Sequence, residues 1–195
     1  MNKFLILCIA IAAACACSRP TFTQGETALI GSGDIAEAMR VLTIDDPDDL
    51  TVLRAKASEL TRDDVRSELF SQLKARMLLT VNDTARPGVG IAAPQVGIGK
   101  KLIAVQRFDK AGKPFEFYVN PSFMPWDSGR AWSREGCLSI PSGIDSVKRY
   151  KAVLVTYTDE RTFLPRLDTV RGFTAIIFQH EIDHLDGILF TDPHE

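Results

Sequence analysis

The stretch Phe178-Gln179-His180-Glu181-Ile182-Asp183-His184-Leu185-Asp186-Gly187 restricts what this chain can fold into more than any other. It sits in an apolar run, 173–185, whose spacing predicts a helix terminated by Gly187. At 3.6 residues per turn, Phe173, Ile177, His180 and His184 share one face, so both imidazoles lie on the buried stripe. That geometry lets the two rings reach one metal ion. Glu181, about 100° round the helix, is then placed to touch a water beside the metal. The pattern points to metal-assisted hydrolysis. The alternative is a chance match on a surface helix, and the rest of the chain has to decide between them.

Two histidines leave a metal short of ligands. In the longer pattern His-Glu-x-x-His-x-x-Gly-x-x-His the last His is the third ligand. Here Gly187 matches, but the ligand slot holds Phe190, and the remaining histidine, His194, is second from the end, where chains fray. A third ligand has to be a Cys, Asp or Glu from elsewhere. Of the four cysteines, Cys8, Cys15 and Cys17 fall in the first 17 residues, which leaves Cys137 alone in the body. A solitary thiol is either a small buried hydrophobe or a ligand. With His180 and His184, Cys137 makes a two-His, one-thiolate set with the fourth tetrahedral position open.

The beginning of the chain reads as a leader. Met1-Asn2-Lys3 precedes an unbroken apolar run over 4–14 of secretory type, shorter than the roughly 20 residues a spanning helix needs. Ala14-Cys15-Ala16-Cys17-Ser18 resembles the lipobox of bacterial lipoproteins, without the usual Leu three residues before either cysteine. The expectation is a lipid anchor at Cys15 or Cys17 and a place in the bacterial cell envelope. The alternative is a downstream start and a cytoplasmic protein. Residues 1–17 are thus a signal segment, and 18–33, made of Ser, Arg, Pro, Thr, Gly and Gln, reads as a flexible tether. Residues 34–195 form one domain, long enough for a core of its own. With 23 basic against 25 acidic residues and no basic run, nucleic-acid binding has no electrostatic support.

Within the domain, Asp34 is read as capping a short helix over 35–42, and Asp45-Asp46-Pro47-Asp48-Asp49 as a solvated acidic turn. Thr61 and Asp64 make a capping box for a helix that ends near Asn82, with Val65, Leu69, Leu73 and Met77 as its apolar stripe. Strands are expected over 101–108, 115–119 and 152–157, with 162–170 kept to an edge by Pro165. Hairpin turns fall at Gly112 and 159–161. Helix, then strands, then one late helix bearing the metal residues indicates an α+β fold with antiparallel sheets packed around that helix.

Three segments, Gly88-Val89-Gly90-Ile91-Ala92-Ala93-Pro94-Gln95, Glu135-Gly136-Cys137-Leu138-Ser139 and Gln179-His180-Glu181-Ile182-Asp183-His184, together resemble the signature motifs of peptide deformylases, in order and spacing. Ile91 stands where that family more often has Leu. The similarity runs over about 35–192. It implies that Cys137, His180 and His184 hold one divalent metal ion, most often ferrous iron, with zinc, nickel or cobalt able to substitute. It implies that Glu181 moves a proton from the attacking water to the departing amine, and that the Gln95 side chain and the Leu138 backbone N–H stabilise the oxyanion. Backbone groups of Val89, Gly90 and Gly136 would hold an extended formyl-methionyl peptide, and Phe173, Ile176 and Ile177 would receive the methionine side chain. The expected reaction is removal of the N-formyl group. Other readings on the same scaffold are an envelope metallopeptidase and a non-catalytic peptide-binding lipoprotein. The chain ends soon after the metal helix, without the further helix that some relatives carry and that is associated with ribosome docking, so such docking is not expected.

Overall fold

The structure, a computed structural model, describes residues 21–192. The leader with Cys8, Cys15 and Cys17, and His194, lie outside the described residues. In chain order the elements are α1 (Gln24–Gly31), α2 (Pro47–Leu53), α3 (Arg62–Arg66), α4 (Glu68–Val81), β1 (Gly90–Ala92), a 3-10 turn (Ala93–Val96), β2 (Leu102–Gln106), β3 (Phe115–Pro125), β4 (Arg130–Cys137), β5 (Ile140–Tyr150), β6 (Ala152–Thr158), β7 (Pro165–Arg171) and α5 (Gly172–Leu185). Strands β1-β2-β3-β6-β7 make one antiparallel sheet, and β4 and β5 pair as a separate hairpin. The expected α+β fold with antiparallel sheets around the late helix is what forms.

Strand β2 shows why the core needs two coverings. Its sequence Leu-Ile-Ala-Val is apolar on both faces, which suits a strand covered on both sides. Leu102 and Ala104 pack with Leu73 and Met77 of α4. Ile103 and Val105 point the other way, towards Ala175, Phe178 and Ile182 of α5. Burying Phe178 completely contributes on the order of 1.5–3 kcal/mol. A third, smaller cluster joins Ile140 and Val147 of the hairpin to Leu189 and Phe190 beyond α5. The helix bearing His180 and His184 is therefore gripped by the large sheet on one side and the hairpin on the other. It ends as the sequence predicts: Gly187 has φ +72°, its N–H bonds to the His184 carbonyl at 3.2 Å, and the Ile188 N–H to the Asp183 carbonyl at 3.0 Å. These are the two bonds of a Schellman cap.

Several local expectations are corrected. The segment 18–33 is not simply a tether, because its described part carries α1. Thr23 and Glu26 make a reciprocal capping box, Glu26 also accepts the Gly99 N–H at 2.9 Å, and Ile30 is fully buried with Met77 and Val81. A helix of eight residues draws its stability from such tertiary contacts rather than from propensity, so composition alone misses it. Residues 35–42 are turn and extended chain, not helix; the Asp34 carboxylate accepts the Ala36 N–H in a local turn. The acidic turn opens α2, with Asp46 as its cap, and Asp49 is buried against Arg40 by two bonds of 2.7 and 2.6 Å. The helix expected from Thr61 to Asn82 is two helices. Its Thr61–Asp64 capping box is present, but Ser67 has extended φ/ψ and caps α4 afresh.

Candidate metal centre and substrate groove

Strand β4 and helix α5 bring the three ligands together. A register shift between Gly136 and Cys137 re-aims the last residue of β4, as bulges do, and points the thiol at α5. The Sγ of Cys137 and one ring nitrogen from each of His180 and His184 all lie within 4.8 Å of one another. The sulfur is 3.3 Å from His184 Nε2, and the two rings stand 5.0 Å apart at 79°. His180 Nδ1 bonds to Glu135 Oε2 at 2.9 Å. A carboxylate accepts, so this nitrogen carries the proton and Nε2 is left for the centre. Both Glu135 oxygens also take Arg149, each at 2.9 Å, and Arg149 reaches Asp183 Oδ2 at 2.5 Å.

These neighbours set the charge of the site. Burial raises the Cys137 thiol, but the two imidazoles outweigh it and hold the thiol well below its ordinary range. Burial opposes a charged His180, yet the Cys137 sulfur and Glu135 outweigh it and raise that ring to about 10. The cluster thus holds a thiolate that needs positive charge beside it, which protons or a cation can provide. Its residues fit a divalent metal ion: one sulfur and two nitrogens converge, and the buried Glu181 Oε2 and His184 Nδ1 have no partner among the described residues.

Glu181 lies against this cluster. Burial pushes its carboxyl up to about 7, with His180 and His184 opposing, so it can hold or give up a proton near neutrality. Only glycine suits position 90 beside it, since a Cβ there would come within 2.5 Å of Glu181 Oε1. Gln95, in the 3-10 turn, is held by its oxygen, which accepts the Ala92 N–H at 2.9 Å. Its Nε2 is therefore turned towards Cys137 Sγ at 3.3 Å and Ser139 Oγ at 3.2 Å. Gln95→Leu removes that donor and, for a hydrolysis run over this centre, is expected to lower kcat by about 10²–10³ with little change in KM, as steady-state kinetics would read.

A cavity of about 340 Å³ opens over the cluster. Val89 and Gly90 line one side, Gly136, Cys137 and Leu138 the other, and Gln95, His180 and Glu181 the inner end. Phe173, Ile176 and Ile177 form an apolar wall, while His184 lies deeper, 1% exposed. Among the described residues β1 ends its sheet and β4 pairs only with β5, and residues of both strands line the cavity, so two strand edges border it. Every site residue named from the sequence is thus gathered around one space. Sequence reasoning gave no role to Glu135, Arg149 or Asp183. A signal existed for the first: on a strand, Glu135 and Cys137 share a face, and metal-binding imidazoles usually donate their other N–H to a carboxylate or carbonyl.

Residues 38–195 match the polypeptide deformylase family. A peptide deformylase of Symbiobacterium thermophilum is 43% identical over 141 residues, which is 72% of this chain and 61% of that protein, less than two thirds of its length. One from Heliobacterium modesticaldum is 40% identical over 159 residues, 80% of this chain and 93% of that protein. A class I type b peptide deformylase from Acinetobacter baumannii, in a crystal structure with Met-Ala-Ser bound, aligns at a TM-score of 0.68 and 32% identity, over 78% of this chain and 96% of that one. With its three motifs folded around one centre, this chain belongs to the polypeptide deformylase family.

Proposed function

We propose that this protein is a metal-dependent hydrolase that removes the formyl group from the N-terminal formyl-methionine of peptides, releasing formate. The observation that carries it is the convergence of the buried Glu181 carboxyl, Gln95 Nε2 and the Cys137–His180–His184 cluster on one cavity. A divalent cation held by those three residues would supply the positive charge that acidifies water and polarises a carbonyl. Glu181 takes the proton of the attacking water and returns it to the departing amine. Gln95 Nε2 and the Leu138 backbone N–H donate to the formyl oxygen as charge grows on it. Val89, Gly90 and Gly136 pair with an extended peptide laid between the two strand edges, and Phe173, Ile176 and Ile177 take the methionine side chain. Ferrous iron is the proposed resident ion, on the family resemblance. Zinc, nickel or cobalt would also suit one thiolate and two imidazoles.

Formate release from formyl-Met-Ala-Ser by protein loaded anaerobically with ferrous iron, with metal analysis of the same preparation, tests this reading. A loaded protein that releases no formate refutes it. Cleavage of internal bonds in unformylated peptides would indicate a metallopeptidase instead, and binding without turnover a non-catalytic lipoprotein.

The proposed location is the cell envelope, through a lipid on Cys15 or Cys17, and its support is the apolar run before them. Thr21 is tied to Asp64 by its N–H and, at 2.9 Å, its hydroxyl. The four residue steps from Cys17 to Thr21 reach at most about 14 Å, which would keep the domain close against the bilayer. Labelled palmitate should enter the full-length protein and disappear in the Cys15→Ser/Cys17→Ser double variant; a soluble, unlabelled product argues for the cytoplasm.

A further inference from the structure

We infer that Arg134 makes the groove selective for a carboxylate on the peptide shortly after the formyl-methionine, an inference that rests on the deformylase reading above. Arg134 lines the cavity, is exposed, and has no hydrogen-bond or ion-pair partner among the described residues. The other ionisable groups of the lining, Glu135, Cys137, His180 and Glu181, belong to the chemistry or its support, and both carboxylates among them are buried. Arg134 is thus the one exposed charge among the residues that line the cavity.

Its neighbours leave that charge uncompensated. In the β4–β5 register Arg134 lies opposite Ser146, Gly136 opposite Ile144 and Trp132 opposite Lys148. Directly opposed residues share a face, as do residues two apart on one strand. The ladder positions around Arg134 therefore offer an indole, a hydroxyl, an aliphatic group and a second cation, and no carboxylate. An unpaired guanidinium fits a carboxylate as a two-pronged donor.

Register decides where on the peptide that carboxylate belongs. Extended chains advance about 3.3 Å per residue, so Arg134 lies about 7 Å along β4 from Gly136, on the side away from Cys137. A peptide whose methionyl unit pairs beside Gly136 carries its second or third residue past Arg134. The carboxylate is either an acidic side chain at those positions or the free C-terminus of a short formyl peptide.

The test measures formate release from formyl-Met-Ala-Asp-amide, formyl-Met-Ala-Lys-amide, and formyl-Met-Ala-Ser as acid and as amide. At low salt the protein should prefer the Asp peptide over the Lys peptide by about fivefold in kcat/KM, the range of an exposed ion pair, with the difference carried by KM. The preference should shrink at high salt, level in Arg134→Gln and reverse in Arg134→Glu. A matching preference for acid over amide in the Ser pair assigns the free C-terminus as a natural ligand; equal rates assign the acidic side chain. Calorimetric binding of the same peptides to Glu181→Gln reads selectivity apart from turnover. A protein that deformylates all four alike, or whose preference survives in Arg134→Glu, overturns this inference alone. One that releases no formate, yet binds Asp over Lys in an Arg134-dependent way, overturns the deformylase reading alone.

Discussion

Glu181→Gln should reduce formate release on the order of a thousandfold, within the range that a positioned acid–base group contributes, while metal content stays at the wild-type level. The substitution keeps shape and removes only the ability to take and return a proton. Little structure depends on that oxygen: Oε2 has no partner among the described residues, and the three atoms that could hold a metal ion come from Cys137, His180 and His184. Stability gives a second reading, on metal-free protein. The folded pKa of Glu181 lies at about 7, above its ordinary 4.5. A raised acid contributes stability that is fully present below the unfolded value and is lost as pH rises through the folded one. The Gln variant has no such loss, so its melting temperature relative to wild type should climb between pH 5 and pH 8. Activity retained within tenfold, or metal lost in step with activity, would remove Glu181 from the proton-transfer role.

What could be read from the sequence divides along a physical line. Helix α5 and strands β2 and β6 were legible because burial imposed a period or a β-branched run. The metal set was legible because His180 and His184 share a helix face and Cys137 had no disulfide partner in the body. The β4–β5 hairpin was not. Its strands contain Arg134, Glu135, Asp145, Lys148 and Arg149, which look solvated one at a time; Glu135 and Arg149 are buried only because each neutralises the other. Such pairing is a property of register between strands, and no local pattern reports it. Helix α1 was missed for the same kind of reason, since Glu26 and Ile30 find their partners far along the chain.

That buried pair supports the second large effect. Glu135→Ala should destabilise the protein by about 3–5 kcal/mol, because Arg149 would remain buried with only Asp183 beside it. At about 2–4 °C per kcal/mol for a domain of this size, the melting temperature should fall by about 10 °C. Burial works to raise the Glu135 carboxyl, yet His180 and Arg149 outweigh it and hold the group below its ordinary 4.5. The stability it brings is therefore present above that pH and is lost as pH falls through the lowered value. The same carboxylate fixes the proton on His180 Nδ1, so metal affinity should weaken about 10–100-fold. Glu135→Leu/Arg149→Met separates the two roles. Removing both charges relieves the unpaired cation and should recover part of the lost stability. Nothing in that pair accepts from Nδ1, so metal affinity should stay low. If affinity recovered together with the melting temperature, Glu135 would act only as a counter-charge, and the orientation of His180 would have to come from its stacking on Phe190.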